Sequence, residues 1–90
     1  MSYKMIIRTA NADMNERIDL VADRHHLKKA EYGVYIGTGS QHDFARFGRT
    51  MLDLKEIDGF LSSVEEWLFY EGEHVQDVAE HYRKKEKKSV

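Results

Sequence analysis

Cysteine and proline are both absent from this chain of 90 residues. Without cysteine there is no disulfide framework, no thiolate metal site and no thiol nucleophile. That absence fits a reducing compartment, and the expected location is the cytoplasm. Without proline, every stop and reversal must come from glycine, polar caps or charge. Long hydrophobic runs are missing too. The apolar centre of the N-terminus, Met5-Ile6-Ile7, is far shorter than a signal-peptide core, and no run approaches membrane-spanning length.

Charge is plentiful but sorted. Residues 51–82 hold nine acids (Asp53, Glu56, Asp58, Glu65, Glu66, Glu71, Glu73, Asp77 and Glu80) against one base, Lys55. Residues 1–50 carry eight bases and six acids, and residues 83–90 carry five bases and one acid. The formal net charge of −2 hides this segregation, and a segregated field steers charged partners. The size predicts a single domain, residues 1–82, followed by a basic tail, 83–90, that is expected to fray.

Tyr3–Thr9 alternates, with Tyr3, Met5 and Ile7 on one side and Lys4, Ile6 and Arg8 on the other, which predicts a strand. Asp13 and Glu16 have the spacing of a capping pair and open a helix predicted to end near Lys29, with Met14, Ile18, Val21 and His25 on one stripe. Glu31–Gly37 reads as a second strand, and Gly37-Thr38-Gly39-Ser40 as a turn. Asp43–Thr50 suits a returning strand. Its rival is a short helix capped by Ser40, with Phe44 and Phe47 at i and i+3.

Asp53–Gly72 carries Leu54, Ile57, Leu61, Val64 and Leu68 at helical spacing and predicts a long helix. Phe60 and Trp67 lie a heptad apart on its shoulder, with Ser63 leaving a gap between them. A third helix is predicted from His74 through Tyr82. The expected fold is a small α+β domain in the order β-α-β-β-α-α, a three-stranded sheet with helices on one face. The other face would lack a cover, with Tyr35, Phe44 and Ile6 expected there among Lys4, Arg8 and Arg46.

No motif for catalysis or a cofactor stands out. His25 and His26 diverge on a helix, and nothing names a partner for either as a general base. His74, Asp77 and His81 share a helical face, but two turns separate the histidines, and the Asp77–His81 spacing reads as a surface ion pair. Gly37–Ser40 lacks the glycines and lysine of a phosphate loop. The paired acids look solvated or explained as caps, so no enzyme activity, cofactor or metal is expected.

The lead expectation is a non-catalytic interaction protein. Its acidic half, about residues 53–82, would bind a basic protein surface or a second copy, giving a homodimer. Phe60, Trp67 and Tyr70 would anchor that contact beside Ser63, with Glu65, Glu66, Glu73 and Asp77 supplying charge. One version is an inhibitor or decoy of a nucleic-acid-binding protein, as small acidic proteins of phages and mobile elements can be, an analogy of size and charge alone. The alternative is a nucleic-acid-associated regulator that uses Arg83–Lys88, Arg46, Arg49 and stacking on Tyr35 and Phe44. A sequence pI near 6.2 weighs against that alternative.

Overall fold

A computed structural model describes residues 2–38 and 40–88 of the chain, with side chains described through Lys85. The elements run β1 (Tyr3–Thr9), α1 (Ala12–Arg24), β2 (Lys28–Glu31), β3 (Val34–Gly37), α2 (Gln41–Lys55), α3 (Phe60–Ser63), β4 (Val64–Glu71), β5 (His74–Asp77) and α4 (Val78–Lys88). The fold is therefore α+β, as the patterning predicts, but the sheet has five strands rather than three. Their order is β2-β3-β1-β4-β5, and every neighbouring pair is antiparallel. The first six major elements form the split β-α-β arrangement of ferredoxin-like domains, in which β3 lies between β2 and β1. β5 and α4 extend it at the β4 edge.

Local chemistry explains the boundaries. Asn11, not Asp13, caps α1: its side chain accepts a hydrogen bond from the Met14 amide at 3.0 Å. The helix ends at Arg24, before Lys29, in a Schellman turn. The Leu27 amide donates to the Ala22 carbonyl and the His26 amide to Asp23, both at 3.0 Å. His26 takes the left-handed position of that turn with φ 60°, where glycine is usual. The basic run Lys28-Lys29 then forms an edge strand, and Tyr32-Gly33 turns it into β3, with Gly33 at φ 75°. The expected single strand over residues 31–37 is thus the second arm of a hairpin.

The region 43–50 is helical, the rival reading. Ser40 caps α2 by accepting from the Asp43 amide at 3.2 Å, and Thr38 donates to the Asp43 carboxylate from both its amide and its hydroxyl at 2.7 Å. The expected turn at 37–40 thus serves as the entry to a helix; Gly39 within it lies outside the described residues.

The long helix expected over Asp53–Gly72 is absent. α2 ends at Lys55, Gly59 takes φ 80°, α3 makes one turn, and Val64–Glu71 is a strand. Gly72, with φ 63°, then opens a two-residue turn into β5, so His74–Asp77 is strand rather than helix. The apolar residues at helical spacing are dispersed: Leu54 in α2, Ile57 in the connection after it, Leu61 in α3, and Val64 and Leu68 in β4. The last helix continues through Lys88, while Ser89 and Val90 lie outside the described residues.

One core lies between the sheet and its helices. Met5, Ile7, Tyr35, Trp67 and Phe69 face it from the strands, and Met14, Ile18, Val21, Phe47, Leu54, Val78 and Ala79 from the helices. Register explains the sorting: Met5 pairs with Tyr35 and Phe69, and Ile7 with Trp67, so alternate residues of β1, β3 and β4 share a side. Arg83 pins α4 to this layer by donating to the Val64 carbonyl at 2.9 Å and the Leu61 carbonyl at 2.5 Å.

Candidate functional site: the open sheet face

The described helices that contact the core pack on one side of the sheet, and no described helix covers the other side. The same register that buries Met5 and Ile7 sends Lys4, Ile6 and Arg8 outward. Ile36 and Tyr70 flank Lys4, Val34 and Leu68 flank Ile6, and Glu66 flanks Arg8. Val75 follows Tyr70 and Asp77 follows Leu68 on β5, while Lys28 and Glu31 of β2 stand beside Ile36 and Val34. The centre of the face is therefore apolar, made of Ile6, Val34, Ile36, Leu68, Tyr70 and Val75. The first five are part-buried by their strand neighbours, and Val75 is 48% exposed.

Charge on this face is mixed: Lys4, Arg8 and Lys28 stand against Glu31, Glu66, Asp77 and, at the rim, Glu65. Arg8 and Glu66 face each other at 3.9 Å with both side chains exposed, an ion pair of little energetic weight. Lys4 lies 4.6 Å from the Tyr70 ring centre and covers that aromatic. Shallow hollows sit at the two ends of β1. One, of 450 Å³, is lined by Ile6, Arg8, Glu31, Val34 and Glu65; the other, of 340 Å³, by Lys4, Ile36 and Tyr70.

The residues expected to form a partner site do not stand together. Phe60 and Trp67 are both fully buried, so neither is a surface anchor. They meet edge to face at 4.9 Å, and Trp67 stacks on Tyr82 of α4 at 5.5 Å. The heptad spacing that suggested a shared helical shoulder instead joins α3 to β4 through the core. Ser63 leaves no gap between them: its hydroxyl donates to the Phe60 carbonyl at 3.2 Å.

Glu65 is the extra residue of a bulge opposite Arg8 and Thr9, and Glu66 pairs with Arg8. Glu73 lies in the β4–β5 turn at the opposite end of β4, about 20 Å from Glu65 at the usual strand rise. Asp77 caps the last helix by accepting from the Glu80 amide at 3.0 Å. Tyr70 alone of the expected anchors reaches the open face.

Of the residues expected on the bare side, Ile6, Lys4 and Arg8 are there. Tyr35 instead faces the core at 2% exposure. Phe44 and Arg46 belong to α2, where Phe44 packs 5.7 Å from Tyr3 and Arg46 pairs with Asp43 at 3.2 Å. Arg49 also sits on that helix. Val34, Ile36, Leu68 and Val75 were not foreseen. The signal for them was present: Trp67-Leu68-Phe69-Tyr70 is aromatic-rich, and Gly72 follows it, a hairpin pattern.

Two polar clusters lie on the helical side. His25 Nε2 and Asp53 Oδ2 are 2.6 Å apart and clip α1 to α2. Asp19 accepts from the Tyr35 hydroxyl and, at 2.9 Å, from Lys29 Nζ. Burial opposes ionisation of Asp19, but the bonds from Tyr35 and Lys29 outweigh it and hold the carboxyl below its ordinary value of 3.8. Burial and the neighbouring Asp19 carboxylate push the Tyr35 phenol well above its ordinary range. Both clusters tie a helix to another element and leave no free nucleophile. His74, Asp77 and His81 do not share one helix, since His74 and Asp77 belong to β5. Among the described residues, no group of three or more metal-ligating side chains converges.

No protein family matches the chain, and no curated protein matches it. No described helix is long and apolar enough to cross a membrane.

Proposed function

We propose that this is a non-catalytic interaction protein that binds a protein partner through its open sheet face. The observation that carries this reading is one-sided burial. A five-stranded sheet has helices packed on one side and presents an apolar strip rimmed by charges of both signs on the other. Contiguous apolar surface rimmed by polar groups is the usual mark of a protein interface.

Charge and aromatic content favour a protein over a nucleic acid here. The face and its rim hold three bases and four acids, and of their two aromatic rings Tyr70 is covered by Lys4 and Tyr32 stands beside Lys29. A strand of nucleic acid would gain neither a basic track nor a stacking platform. The acids expected to imitate one are split between the two ends of β4, so a decoy of a basic surface has little geometric support.

The test is capture from a cell lysate at low and high salt, with wild type and with Leu68→Glu, analysed for protein and nucleic acid. A protein retained at both salt levels and lost with Leu68→Glu supports the reading. A basic protein released by salt and indifferent to Leu68 would return the assignment to the acidic residues. Nucleic acid retained without protein would overturn it.

A further inference from the structure

The open face matches itself, and we propose that its occupant is a second copy of this chain. This inference rests on the reading of that face as a protein interface and adds the identity of the partner and its orientation. Charge is the first argument. The face carries both signs in near-equal number, three bases and four acids, so a strongly basic or strongly acidic surface is not favoured, whereas a surface of mixed sign can complement its own copy.

Position is the second argument. Lys28 and Glu31 lie on the outermost strand, beside Ile36 and Val34 respectively. A twofold axis that crosses the strands between the Lys4 and Ile6 rows lays the face against itself. Lys28 of each copy then meets Glu31 of the other, Ile36 meets Val34, and Tyr70 meets Leu68, while Lys4 lies over Ile6 and Asp77 over Val75, two pairs that weaken the contact. An isologous contact of this kind makes every favourable pair twice. Two sheets packed this way stack about 10 Å apart, with strands near parallel or antiparallel, as in aligned sandwiches.

Area limits the strength of the contact. β1 and β4 span seven and eight residues and the other three strands four each, so at about 4.8 Å between strands and about 3.3 Å per residue the flat footprint is on the order of 400 Å² per copy. Two such footprints total about 850 Å², in the range of weak, transient contacts rather than standard-size interfaces. The expected dimer is therefore reversible, with dissociation in the micromolar range.

Sedimentation velocity of the full chain, from about 1 to about 200 µM at physiological salt, reads this directly. The expected result is a monomer–dimer equilibrium across that range. Leu68→Glu should weaken it at least about tenfold while far-UV circular dichroism and melting temperature stay near wild type. Lys28→Glu should weaken it by about threefold to tenfold, and Lys28→Glu with Glu31→Lys should restore it.

A wild type that stays monomeric at the highest concentration overturns the inference. The lysate capture then decides whether the open face still serves a different protein, so the two readings fail separately. A dimer that survives Leu68→Glu uses another surface and also overturns it. A dimer weakened by Lys28→Glu and not rescued by the double reversal overturns the antiparallel pairing.

Discussion

The two faces of the sheet are built from the same strands, one residue out of step, and they have opposite characters. On the covered face Ile7 is 2% exposed and Trp67 and Met5 are fully buried, pressed beneath helices by the chain's own hydrophobic content. On the open face Ile6 and Leu68 hold equivalent places in β1 and β4, yet no described helix shields them. Burial on a sheet is decided by which side the crossovers take rather than by the strand's own composition. A β-branched residue in this chain is therefore structural or available for binding according to the parity of its position.

Neighbouring isoleucines give the sharpest way to break that comparison. Ile7→Ala should cost about 2–5 kcal/mol, because it removes buried methyl groups and leaves a cavity. Ile6→Ala should cost about 1 kcal/mol or less in dilute solution. Urea denaturation of both variants at low protein concentration checks this. Equal losses would mean that the two faces are equally buried and that the contrast is wrong.

A smaller effect sharpens the account of the covered face. The Trp67 indole nitrogen is buried and has no hydrogen-bond partner among the described residues, and such a donor costs about 1–3 kcal/mol. Trp67→Phe keeps an aromatic ring between Phe60 and Tyr82 and removes the orphan. Its net loss should stay below about 2 kcal/mol, far less than truncation of a ring this size. Thermal melting would show it.

The smallest effect lies at the rim of the covered face. Because the Asp19 carboxyl is held below its unfolded value, its contribution is complete above about pH 4 and fades as the pH falls through the folded value. Asp19→Asn should therefore be less stable than wild type near neutrality, and the gap should narrow on acidification toward pH 2. A gap that does not change with pH would remove the carboxylate from that role.

Some of this was written plainly in the residues. Tyr3–Thr9 alternates cleanly because one side meets the core and the other meets solvent, and its outward side held Lys4, Ile6 and Arg8 as read. The first helix announced itself by its 3.6-residue stripe, although Asn11 rather than Asp13 caps it and it ends at Arg24 rather than near Lys29. Residues 53–72 misled for a physical reason. Leu54, Ile57 and Leu61 close α2 and lead into α3, while Val64 and Leu68 belong to a strand whose two sides are both apolar. A strand flanked on both edges and apolar on both sides loses the alternation that separates strand from helix. Gly59 at φ 80° breaks the helix, but a lone glycine within a periodic stretch does not advertise that.

The open face was legible only in outline, because its composition depends on pairing. Leu68 and Tyr70 reach it through their register with Ile6 and Lys4, a relation between distant segments that no local pattern contains. Tyr35 shows the converse. It was expected outside, yet its pairing with Met5 turns it inward, where Asp19 receives its hydroxyl.

That central pairing also sets an order of events in the cell. β1 is made first and lies in the middle of the finished sheet, but its partner β4 comes near the end of the chain. Until residue 71 has left the ribosome, β1 carries an unpaired edge, and Ile7 and Met5 lack Trp67 and Phe69 to pack beside. The β1–β4 pairing is a long-range closure, a kind of contact that slows folding and leaves the nascent segment open to misassociation until it forms. Conditions that stall synthesis within α2 should therefore yield aggregation of the fragment rather than a stable smaller domain.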